Sequence, residues 1–196
     1  MRTTLKHLTI EEALAHHDAG AAFVDLRPVE DYLDVHIPGS IDLQYEWGPG
    51  MPSRARDCLP LDLPLILLDL GAGDVAHAAA ALRGKGFAVV GKVEDGINGW
   101  AAARGTPAST EVVSGDRRGR TYPEDRRPLI LDVCDPGAGQ IKDATTIPIE
   151  QLWPRRDEVA RHNGPVVIAG GKGVRAALAV GILERGGVDE IVFWKP

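Results

Sequence analysis

The feature that most constrains this chain is a run of short, largely apolar segments that alternate with helix signals. Ala22-Phe23-Val24-Asp25-Leu26, Leu65-Ile66-Leu67-Leu68-Asp69, Leu129-Ile130-Leu131-Asp132-Val133 and Pro165-Val166-Val167-Ile168-Ala169 are apolar with little alternation. Such segments suit strands covered on both faces. The stretches between them carry helix starts and stops, so the chain reads as successive βα units around a mostly parallel sheet, an α/β fold.

Local signals set the boundaries. Thr9 and Glu12 form a capping-box pattern that opens a helix, and Gly20 supplies its stop. Pro28, followed by Glu30 and Asp31, suits the first turn of a second helix. His36-Ile37-Pro38-Gly39 is a turn, because Pro38 biases Ile37 away from helix. Residues 45–60, with two Gly and three Pro, read as an irregular connection. A loop over 70–74 leads into an alanine-rich helix over 75–85, then a strand over 88–93 and a helix over 94–104. Residues 114–128 are charged, with five arginines and no apolar periodicity, and read as a solvated linker rather than a binding patch. Beyond it come a strand at 129–133, a turn and short strand over 139–148, and a helix over 149–162 in which Pro154 is expected to kink or restart the chain. A strand at 165–169, a glycine loop, a helix over 174–185 and a strand at 191–194 follow.

Composition narrows the functional classes. With 44% hydrophobic and 26% charged residues the chain is globular. No apolar run reaches the roughly 18–20 residues that span a bilayer, and no signal-type apolar core follows Met1, so a cytoplasmic protein is expected. A net charge of −6 argues against a nucleic-acid partner. Two cysteines and six scattered histidines fit neither a disulfide framework nor a zinc site, so no metal and no cofactor is expected.

The second half repeats the first. Val24-Asp25-Leu26 matches Leu131-Asp132-Val133, the segment from Val35 to Ile41 matches that from Gln140 to Thr145, and the strand-loop-helix at 65–85 matches that at 166–185. A period of about 100 residues signals a duplicated domain, not a solenoid.

Several of these motifs resemble the rhodanese-like (sulfurtransferase) domains. The residues that carry the resemblance are Val24-Asp25-Leu26-Arg27, Glu30-Asp31-Tyr32, His36-Ile37-Pro38-Gly39-Ser40, the strand-loop-helix at 64–85 and Val93-Glu94-Asp95-Gly96-Ile97-Asn98-Gly99-Trp100. It covers nearly all of residues 5–107; in the second half it rests mainly on Leu131-Asp132-Val133 and residues 165–185. The resemblance implies two rhodanese-like domains, over 1–113 and 129–196 with a linker at 114–128, each a mostly parallel sheet flanked by helices. The second, without an opening helix, is an abbreviated copy of about 70 residues that should need the first to pack against.

The resemblance also marks the nucleophile positions. Active members place a cysteine at the end of the central strand, under a loop whose backbone N–H groups and following helix favour a charged sulfur. Here Asp69 stands at that position in the first half and Gly170 in the second, while Asp74 occupies the site of a common loop arginine. A carboxylate cannot hold sulfane sulfur as a thiolate does. Asp69 is expected to fill the anion cradle itself, Asp74 to cap the next helix, and His77 to be a surface imidazole. The second loop, Gly170-Gly171-Lys172-Gly173-Val174-Arg175, keeps a cationic cradle that either binds a small oxyanion or is only a flexible turn. Cys134 ends a strand and would face Lys172 and Arg175 if that strand neighbours the one ending at Gly170; otherwise it is structural, and Cys58 has weaker claims. The expected role is a non-catalytic binding, scaffold or regulatory module with a protein partner. Two alternatives stand beside it: a sulfur carrier through Cys134, and a small-oxyanion sensor through residues 170–175.

Overall fold

The structure is a computed structural model that describes residues 4–115, 122–134, 141–169 and 173–195. In the first half, strands β1 (Ala22–Asp25), β2 (Ile41–Asp42), β3 (Leu65–Asp69) and β4 (Val89–Glu94) form a parallel sheet in the order β2-β1-β3-β4. Helices α1 (Ile10–Asp18), α2 (Val29–Asp34), α3 (Gly50–Cys58), α4 (Val75–Gly84) and α5 (Gly96–Arg104) connect and cover it. The second half follows with β5 (Glu111–Ser114), a 3₁₀ turn at Glu124–Arg126, β6 (Leu129–Asp132), β7 (Thr145–Thr146), α6 (Ile149–Ala160), β8 (Val166–Ala169), α7 (Val174–Arg185) and β9 (Ile191–Lys195). Its sheet, also parallel, has the order β7-β6-β8-β9-β5. The fold is α/β, two parallel sheets flanked by helices, and the second half is the shorter.

The halves repeat each other down to single hydrogen bonds. The Asp25 carbonyl accepts from Leu43 N–H and the Asp132 carbonyl from Ile147 N–H, both at 2.9 Å. Each aspartate also folds its side chain onto the backbone two residues on: Asp25 Oδ1 accepts from Arg27 N–H at 3.0 Å, Asp132 Oδ1 from Cys134 N–H at 2.9 Å. The short polar side chain mimics a turn and ends the strand in the same way twice.

Strand periodicity explains the apolar runs. In β1 and β3, Ala22, Val24, Leu65 and Leu67 point into a large core, while Phe23, Ile66 and Leu68 point to a second one beneath α1 and α5. In β8, Val166 and Ile168 join the large core, and Val167 and Ala169 a small outer cluster with Val192 and Trp194. The large core is common to both halves. It runs from the first sheet through α3, α4, α6 and α7 to the second, and residues 176–183 of α7 are all buried.

Several expectations hold. The Thr9–Glu12 capping box is formed on both sides, and α1 stops before Gly20. Three do not. Residues 45–60 contain a helix, α3, because Met51, Ala55 and Cys58 fall on one buried face. Pro52 lies in its first turn, where no intrahelical donor is required. Pro154 sits inside one continuous helix, α6, and forfeits only the bond to the Glu150 carbonyl. Residues 111–114, read as the end of the first half and the start of the linker, form β5 at the edge of the second sheet beside β9. That strand is mostly exposed and only four residues long, so no apolar pattern marked it.

Candidate functional site

Asp69 ends β3, as the sequence indicated, and its register partner on β4 is Glu94. The loop after it turns on Gly71 and Gly73, at φ of 76° and 74°, values that L side chains rarely adopt. Asp69 does not fill the loop's cradle of N–H groups. Its Oδ2 instead accepts from Lys92 Nζ on β4 at 2.6 Å, and the pair is three-quarters or more buried. That bond holds the Lys92 ammonium above its ordinary range. Asp74 caps α4, its Oδ1 accepting from His77 N–H at 2.9 Å.

The mouth of the loop is occupied by aromatic side chains. Tyr45 lies so close to Gly73 that a Cβ there would overlap its ring. Its hydroxyl is 3.2 Å from His77 Nδ1, and Trp47, 76% exposed, stacks on the His77 ring at 4.1 Å. His77, half-buried at the surface, is thus also an aromatic packing partner. No partner base reaches Asp69 among the described residues.

In the second half, Gly170, Gly171 and Lys172 lie outside the described residues. Gly173 opens α7 at φ 92°, and Val174 is half-buried against the core. Arg175 donates to Glu150 Oε1 at 2.7 Å, so part of the loop's expected positive charge is already balanced. Cys134 follows β6, half-buried, and β6 does pair with β8, with Asp132 in register with Ala169. Cys134 and position 170 thus follow neighbouring strand ends, where parallel sheets place their ligand crevices. Cys58 is buried in α3, and burial pushes its thiol up to about 12, so it stays protonated and unreactive.

Two polar constellations were not visible to sequence reasoning. At the C-terminal ends of β1 and β2 the carboxyl groups of Asp25 and Asp42 occupy register-paired positions, both buried. Arg27 folds back on Asp25 with Nη2 at 2.7 Å from Oδ2. Among the described residues Asp42 has no such cation bound, and burial raises its pKa to about 8. Between the halves, fully buried His36 donates from Nδ1 to the Tyr32 carbonyl at 2.8 Å, and its Nε2 lies 2.9 Å from Glu184 Oε1. Glu184 Oε2 accepts from Gly39 N–H at 2.6 Å. The motif His36-Ile37-Pro38-Gly39 was legible as a turn, but a contact 148 residues away in sequence leaves no local signal.

A family profile described as "Rhodanese-like domain" matches residues 9–103. A thiosulfate sulfurtransferase GlpE of Pseudomonas savastanoi pv. phaseolicola is 32% identical over 100 residues, which cover 51% of this chain and 91% of that protein. The chain belongs to the rhodanese-like family. A GlpE of Stutzerimonas stutzeri is 33% identical over 98 residues, covering 50% of this rhodanese-like chain and 86% of its own. Among solved structures, a thiosulfate sulfurtransferase from Pseudomonas aeruginosa aligns over 98% of this chain and 43% of its own, at 20% identity and a TM-score of 0.40. The present chain therefore spans less than half of that protein. SseA from Escherichia coli, described with the 3-mercaptopyruvate sulfotransferases, aligns over 97% of this chain and 98% of its own, at 17% identity and a TM-score of 0.40.

Proposed function

We propose that this rhodanese-like protein is a tandem of two domains in which neither nucleophile position carries a thiol, and that it acts in the cytoplasm as a non-catalytic binding, scaffold or regulatory module. The first domain runs to about residue 113, the connection covers 114–128, and the shortened second domain begins at 129, with β5 handed across to its sheet. The observation that carries this reading is Asp69. At the end of β3, where a sulfur-accepting thiolate would be needed, stands a carboxylate bound to Lys92 at 2.6 Å. A carboxylate oxygen has no means of accepting sulfane sulfur as a persulfide, and Tyr45 covers the neighbouring Gly73. The link to sulfur metabolism rests on the sulfurtransferase relatives alone, because a fold does not fix an activity.

A second reading is favoured by one observation. Cys134 follows β6, whose end is in register with the end of β8 at Ala169, and is half-buried rather than enclosed. In that reading it carries the sulfur itself.

Incubation of the full chain with thiosulfate, followed by intact and peptide-level mass measurement beside a cyanide-dependent thiocyanate assay, decides between them. The expected result is no sulfur on either cysteine and no thiocyanate. A one-sulfur gain on the Cys134 peptide with turnover, both abolished by Cys134→Ser, makes the protein a relocated sulfurtransferase and sinks the non-catalytic reading.

A further inference from the structure

A cavity of about 340 Å³ opens between the halves, where His17 and the Pro38-Gly39 turn of the first meet Trp153, Arg156 and Arg185 of the second. Its volume lies at the lower end of the range of small-molecule sites, roughly 300–1,000 Å³. Arg156 and Arg185 both approach the Trp153 ring, with guanidinium carbons 4.8 and 6.0 Å from its centre. Each is nearly unspent as a donor. Arg156 gives Nη1 to the Trp153 carbonyl at 2.5 Å, while its Nε is buried without a partner. Arg185 gives Nη2 to the Gly20 carbonyl at 2.9 Å. Neither forms an ion pair with a carboxylate among the described residues.

That arrangement is unfavourable unless something balances it. A guanidinium offers five N–H donors and always carries its charge, so two of them in one half-buried pocket repel each other and go unmatched. Burial and the neighbouring Arg156 both push Arg185 below its ordinary value. The negative end of α7 offsets part of the charge on Arg185, but Arg156 lies in mid-α6, beyond any such help. Glu184 also lines the pocket, but its oxygens are directed to His36 and to Gly39 N–H and it forms no ion pair with Arg156 or Arg185 among the described residues. His17 adds no cation: Nδ1 donates to the Ala21 carbonyl at 3.0 Å, and burial lowers its pKa.

We propose that Arg156 and Arg185, braced on Trp153, form a binding site for a small tetrahedral oxyanion, free or borne as a phosphoryl or sulfate ester. Forked guanidinium donors match such oxygens two at a time. The site is separate from the loop at 170–175, since Arg185 lies at the opposite end of α7, roughly 16 Å along the helix axis from its start. It draws on both halves, so an occupant would clamp the domain interface.

The test titrates the full chain with inorganic sulfate, inorganic phosphate and phosphoserine, against sodium chloride at matched ionic strength, reading heat and melting temperature. The expected result is a saturable rise in melting temperature with the oxyanions but not with chloride. Arg156→Lys and Arg185→Lys, which keep the charge but lose the fork, should each weaken binding by about tenfold or more. Lys172→Ala should leave it unchanged. Binding to phosphoserine but to neither free anion would locate the source as an ester and still support the site. No rise beyond chloride, a rise that survives both arginine changes, or one lost only with Lys172→Ala would overturn it. A measurement on the unaltered chain guards against a variant that misfolds. Sulfate should protect Arg156 and Arg185 from phenylglyoxal labelling, and unprotected labelling of both refutes the proposal.

Discussion

At the scale of single residues the most consequential group is Asp42. It is buried, Oδ1 accepts from Gln44 N–H at 3.0 Å, and Oδ2 has no partner among the described residues. Desolvation, reinforced by the Asp25 carboxylate across the β1–β2 register, raises its pKa from 3.8 to about 8, so it is folded in neutral form at pH 7. Between those two values the folded chain holds a proton that the unfolded chain has released. Its contribution to stability is whole below the unfolded value and is lost as pH rises to about 8, with a slope of at most about 1.4 kcal/mol per pH unit. Asp42→Asn, which mimics the neutral acid in shape, should therefore be more stable than the parent at pH 8 and much closer to it at pH 4. Urea unfolding across that range checks this; parallel curves for both proteins would contradict it. The second half places Thr146 at the matching register position, so it lacks this acid pair. The sequence reading caught the aspartates that end β1 and β6 because both close apolar runs. Asp42 follows a two-residue strand, which carries no period to read.

At the scale of elements, α7 is the piece on which the two halves meet. Its glycine at 181 touches the Ser40 carbonyl so closely that any Cβ would collide with main chain. A helix interior glycine ordinarily weakens the helix by close to 1 kcal/mol relative to alanine, and here the contact outweighs that penalty. Gly181→Ala should destabilise the protein by about 1–3 kcal/mol through overpacking against rigid backbone. Gly84, the last residue of α4, has open space for 4 Å around the point where a Cβ would sit, so Gly84→Ala should gain roughly 0.4–1 kcal/mol. Denaturant midpoints give both signs in one experiment, and a stabilising Gly181→Ala would mean that α7 does not lie this close to the Ser40 main chain. The helix at 174–185 was legible because an apolar strand and a glycine loop precede it. Helix α3 was hidden by the prolines that flank and enter it, and β5 by its exposed face. The intimacy at Gly181 depends on a partner surface far earlier in the chain, at Ser40, which periodicity along one element does not encode.

For the whole molecule, the decisive fact is that one apolar core serves two sheets. Val24 and Leu67 belong to the same cluster as Ile168 and Phe193, and the residues from Ala176 to Leu183 form its centre. The buried His36–Glu184 contact at 2.9 Å and the Arg185 bond to the Gly20 carbonyl fasten the same interface with polar groups. Separated from the first half, the second would expose the α7 face that now rests on β2, and a piece of that size has little spare apolar burial with which to offset chain entropy. The shared core therefore predicts that the two halves unfold as one unit. Calorimetry on the full chain should show a single transition whose van't Hoff and calorimetric enthalpies agree, and residues 122–195 expressed alone should lack a cooperative transition. Two resolved transitions, or a cooperatively folded fragment, would mean that the shared core contributes less than its burial indicates, and that each sheet is held by its own helices.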